Sequence, residues 1–79
     1  MSSELVFYIL TAAEKPVAAV SMQYDCKTAV YGKCALLSVV FEDGHTVEGC
    51  GCTIFGALHA LMKESGKHPG YFGIWKNLD

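Results

Sequence analysis

The stretch Glu48-Gly49-Cys50-Gly51-Cys52-Thr53, EGCGCT, sets two cysteines between glycines just ahead of the one segment with clear helical periodicity. It reads as a strand-to-helix corner, in which the glycines allow a tight change of direction. From Thr53 to Ser65, Ile54, Phe55, Leu58, Leu61 and Met62 form an apolar stripe, with Gly56, His59 and Lys63 on the other side. Thr53 or Cys52 serves as N-cap, Gly66 is placed to end the helix, and Pro69 confirms the stop.

Upstream of the corner lies a hairpin. Cys34–Glu42 and Thr46–Gly49 are strands joined at Asp43-Gly44, a dipeptide suited to turns that need a positive φ. A two-residue loop would mix apolar and polar residues on one face. A three-residue loop with a glycine bulge sets Val39 against Val47 and leaves Val40, Thr46 and Glu48 together, so the bulged register is expected. Val17–Tyr24 alternates as another strand, and 25–33 is polar and glycine-punctuated, a loop. Leu5–Thr11 is a continuous apolar run, read as a strand covered on both faces. Tyr71–Trp75, YFGIW, reads as a last strand. The expected fold is α+β: one domain over residues 1–79, with a mostly antiparallel sheet of four or five strands. One helix packs on one face, in the order β-β-β-β-α-β.

Composition narrows the function. Of the 79 residues 52% are hydrophobic and only 18% charged, so the chain carries more apolar surface than a small core can hide. A sheet with one helix leaves its second face to water or a partner, and apolar residues on both faces of the first and third strands make that face an interaction surface. The net charge is −2 and arginine is absent, which counts against direct nucleic-acid binding. No apolar stretch is long enough to cross a membrane, and the N-terminus lacks a signal-peptide pattern. The expected location is cytoplasmic, where cysteines are thiols or metal ligands rather than disulfides.

Four cysteines, Cys26, Cys34, Cys50 and Cys52, form a candidate tetrahedral zinc set, to which His45, His59 or His68 could contribute. Their spacing does not match the usual zinc knuckles, so no cofactor is required and zinc is the one the set would take. Cys52, at the start of the helix, is the candidate reactive thiol. Gly49-x-Gly51 also fits a phosphate cradle but lacks a P-loop lysine. Glu42, Asp43 and Glu48 read as a solvated turn, and no catalytic constellation is visible, so the chain is not expected to be an enzyme. Tyr71, Phe72 and Trp75 crowd the last strand and are the candidate partner-binding residues.

Over Leu36–Lys63, a three-stranded antiparallel sheet followed by G-x-G-x-T and a helix resembles the layout of double-stranded-RNA-binding domains. That family carries a lysine pair at the helix start, where this chain has Ile54 and Phe55. It also ends in a second helix, where this chain ends in a strand-like aromatic segment. No binding residues carry over. The expected function is a small non-enzymatic module that binds a protein partner, or itself, through an apolar and aromatic sheet face. Phage-type inhibitors such as anti-CRISPR proteins are similar in size and charge. The alternative is a zinc-stabilised or thiol-redox domain built on the cysteines.

Overall fold

The computed structural model describes residues 3–27 and 32–75, so residues 28–31 of the expected loop lie outside the described residues. The order is α1 (Ser3–Ala12), β1 (Val17–Tyr24), β2 (Ala35–Phe41), β3 (Thr46–Gly51) and α2 (Ile54–Ser65). The fold is α+β, as expected, but the described residues form two helices and a three-stranded antiparallel sheet in the order β1-β2-β3, in place of four or five strands and one helix.

The first correction is at the N-terminus, where Leu5–Thr11 is helical rather than extended. Ile9 and Ala12 are buried, and Leu5 and Tyr8 pack half-buried against the core. Positions 5, 8, 9 and 12 are one helical stripe. Apolar residues on the outer side, Phe7 and Leu10, fill the gaps in that stripe and make the run look continuous.

The hairpin has the expected register. Val39 faces Val47, Val40 faces Thr46, and Gly44 takes φ +88° in the loop between Phe41 and His45. The alternation along β2 sends Ala35, Leu37, Val39 and Phe41 inward, where they meet Val47, Ile9 and α2. On the opposite face stand Ala19, Ser21 and Gln23 of β1, Leu36, Ser38 and Val40 of β2, and Thr46, Glu48 and Cys50 of β3. This face is more polar than the sequence suggests, because the run Leu5–Thr11 contributes no strand to it.

The helix α2 also departs from its expected orientation. Thr53 is the N-cap, its hydroxyl accepting from the Gly56 N–H at 3.0 Å. The buried stripe is Ala57, Leu58, Leu61 and Ser65, while Ile54 and Phe55 stand exposed in the first turn. Two glycines of β3 cause the rotation. A Cβ at Gly49 would lie 2.2 Å from the Leu61 backbone nitrogen, and one at Gly51 would lie 2.6 Å from that of Ala57. Neither glycine has a positive φ. EGCGCT is therefore a groove of missing side chains into which the helix backbone settles, and the side facing it must be small.

The C-terminal aromatic segment is not a strand. It makes a single bridge, Ala13 to Phe72, with Glu14 N–H donating to the Tyr71 carbonyl and Gly73 N–H to that of Ala12. Gly66 stays right-handed at φ −65°, and the sharp reversal comes at Gly70, φ +88°. That reversal carries the segment back across the end of α1.

Candidate functional site

The densest polar chemistry lies where the β2–β3 hairpin, the end of α2 and the α1–β1 corner converge. His45 Nε2 and His68 Nδ1 are 2.7 Å apart, so one ring donates and the other accepts. The His45 ring stacks on Tyr71 with centroids 4.0 Å apart. Tyr71 donates its hydroxyl to Asp43 Oδ2 at 2.6 Å, and Asp43 Oδ1 accepts from the His45 N–H. Lys15 Nζ sits 4.2 Å from the Tyr71 ring centre, and Glu64 Oε1 is 3.5 Å from His68 Nε2. These groups satisfy one another, and the arrangement clasps the segment after α2 to the hairpin. The residues stand up to 56 positions apart in sequence, from Lys15 to Tyr71, which is why no local motif announces the cluster.

The Tyr71 hydroxyl, then the His45 amide, hold the Asp43 carboxyl below its ordinary 3.8, and the same hydrogen bond raises Tyr71 above 10.0. A lowered carboxyl contributes stability that is present above its ordinary value and fades as pH falls through the lowered one. A raised phenol contributes below 10.0 and fades as pH rises through its raised value. The clasp is thus strongest between those limits. The hydrogen bond between them lies at the exposed surface, so the effect is small and weakened by salt. Urea midpoints measured against pH should show the parent losing stability relative to Tyr71→Phe at both extremes. Parallel profiles would contradict the clasp.

The cysteines do not form one cluster. Cys26 and Cys34 are joined by a disulfide, which corrects the expectation of four thiols. Asp25 N–H bonds the Cys34 carbonyl at the end of the β1–β2 ladder, and this brings the two Cα atoms to 4.5 Å, within bridging range. Cys50 is free and half-buried on the face away from the helices, opposite Leu36. Cys52 is free and exposed one residue before the cap, where the Thr53 hydroxyl already holds the Gly56 N–H. Among the described residues no three His, Cys, Asp or Glu side chains gather to hold a metal.

Tyr71, Phe72 and Trp75 are half-buried, and they cap the core. Tyr71 and Phe72 meet Phe41 edge-on, and Trp75 stacks on Phe72 and tilts against Tyr8. Trp75 Nε1–H donates to the Oγ of buried Ser65 at 3.0 Å. The large side chains left to solvent are others: Ile74 at 94% exposure, Phe7 at 70%, Phe55 at 67% and Tyr24 at 58%, with Leu10 and Ile54 less so. Phe7 and Leu10 share the outer side of α1. Ile54 and Phe55 sit together at the start of α2, so the surface there is apolar where a phosphate-facing helix would be cationic. No helix of the described residues is long and apolar enough to cross a membrane.

Comparison with family models, with curated proteins and with solved structures finds no match for this chain.

Proposed function

We propose that this chain is a small non-enzymatic module that binds protein. The carrying observation is the set of large apolar side chains that folding leaves outside, above all Phe7 and Phe55, on two helices whose inner faces are already satisfied. Aromatic side chains at such positions supply much of the energy of protein interfaces. The contact surface in this reading lies on the outer side of α1 and the first turn of α2, with Ile74 beside the aromatic cap. Tyr71, Phe72 and Trp75 contribute the parts of their rings that packing leaves free. An inhibitor that acts by occupying a partner's surface, as phage-type inhibitors do, needs no chemistry beyond this.

The test is assembly of the full chain, by sedimentation and by affinity capture. The unmodified chain is expected in a complex, with itself or another protein, that Phe7→Asp or Phe55→Asp weakens about thirtyfold, the effect of losing a strong aromatic contact. A monomer that captures no partner, and whose behaviour neither substitution alters, would overturn the reading.

A further inference from the structure

Among the described residues the sheet has two free edges, β1 and β3, and they differ. Strand β1 is eight residues long, VAAVSMQY, without a charge or a proline. Strand β3 carries Glu48 near its middle. Exposed edges are ordinarily protected by charges, prolines or cover, because their unpaired amides template another strand.

Two bonds reveal which amides of β1 are unpaired. Asp25 N–H donates to the Cys34 carbonyl, and Glu42 N–H to the Pro16 carbonyl, at the two ends of the β1–β2 ladder. Antiparallel pairing alternates, and the register shift between Val17 and Ala19 reconciles the two ends. Ala19, Ser21 and Gln23 therefore turn their backbone groups toward β2. Val20, Met22 and Tyr24 turn theirs to the open edge, where no backbone bond from another described segment meets them. The side chains of these same three residues lie on the helix-covered face. Val20 and Met22 are half-buried, and Tyr24 is 58% exposed.

We propose that a second copy of this chain pairs with β1, antiparallel, about a two-fold axis at Met22, joining two three-stranded sheets into one of six strands. This goes beyond the protein-binding reading above: it adds a separate contact at the β1 edge, apart from Phe7 and Phe55, and names a second copy as its occupant. In that register Met22 faces Met22 of the copy and Val20 faces Tyr24, apolar against apolar, while Ser21 faces Gln23 on the other side of the sheet. All three outward N–H and C=O pairs find partners. The alternatives are poorer. A two-fold at β3 would bring Glu48 against Glu48, and like charges directly opposite repel. Pairing β1 with β3 would be head-to-tail and would not close. The β1 pair is self-complementary and leaves both Glu48 edges outermost.

Sedimentation of the full chain from low to high micromolar concentration tests this. The unmodified chain should reach twice the mass of one chain. Met22→Lys and Met22→Glu, which place like charges at the axis, should each weaken the dimer roughly a hundredfold or more, and an equal mixture of the two should recover it. Tyr24→Pro removes an outward donor that the β1–β2 ladder does not use and an exposed side chain. It should stay folded by circular dichroism and become monomeric, and it carries the test if the Met22 variants unfold. A parent that is monomeric throughout, or a dimer that survives Tyr24→Pro, overturns the inference. A dimer lost with Phe7→Asp but not with Tyr24→Pro would sink this pairing and leave the protein-binding reading intact.

Discussion

Gly49→Ala should cost ~3 kcal/mol or more, a large share of the stability of so small a domain. The added methyl carbon would fall 2.2 Å from the Leu61 nitrogen and 2.6 Å from the Leu61 Cα and the Ala57 oxygen, all backbone atoms of α2. No rotamer change can relieve such contacts, so the helix must lift from β3 and open the layer holding Val47, Ala57, Leu58 and Leu61. Overpacking a core with side-chain atoms costs about 1–3 kcal/mol, and a clash with rigid backbone costs ~3 kcal/mol or more. A domain of this size holds roughly 4–12 kcal/mol in total. Gly44→Ala is the control: its surroundings are empty and only its φ of +88° resists, so about 1–2 kcal/mol is expected. Urea denaturation separates the two. Equal midpoints for Gly49→Ala and the parent would mean that α2 does not lie on those glycines.

Trp75→Ala should act on stability before it acts on any partner. The indole bridges three elements, stacking on Phe72, leaning on Tyr8 of α1 and donating to Ser65 of α2. Ser65 is buried and gives its own hydroxyl proton to the Met62 carbonyl, so its oxygen is the acceptor the indole needs. Full truncation of a core tryptophan costs about 3–5 kcal/mol, and half-burial here sets the expectation at ~2–3 kcal/mol. The midpoint in urea should fall, with the β1-edge pairing changed only through the unfolded fraction. An unchanged midpoint with lost association would instead make Trp75 an interface anchor, as the aromatic crowding of its segment suggests from sequence.

What the sequence revealed was what is local. Asp43-Gly44 between alternating apolar residues specified the bulged register, because any other register would set polar against apolar. Thr53 announced the cap of α2 by type and position. The misread segments were those whose meaning depends on distant residues. Leu5 to Leu10 satisfies both a strand and a helix pattern, and only the burial of Ile9 and Ala12 with exposure of Phe7 selects the helix. Gly49 and Gly51 look like hinge residues, but their reason is the helix backbone several positions downstream. Tyr71 to Trp75 has strand composition, yet its neighbours are Ala12, Ala13 and Phe41. The clasp of Asp43, His45, His68 and Tyr71 was invisible for the same reason. By sequence Tyr71 is a partner-binding aromatic, His45 and His68 are optional zinc ligands and Asp43 belongs to a solvated turn, and only the fold brings the three segments together.

The most direct test of the account is amide hydrogen exchange along β1 in the full chain, in dilute and in concentrated solution. The amides of Ala19, Ser21 and Gln23 face β2 and should be protected at both concentrations. Those of Val20, Met22 and Tyr24 should exchange freely when dilute and become protected when concentrated, as a second copy covers the edge. Rapid exchange of these three amides at concentrations where the chain is dimeric would contradict the pairing.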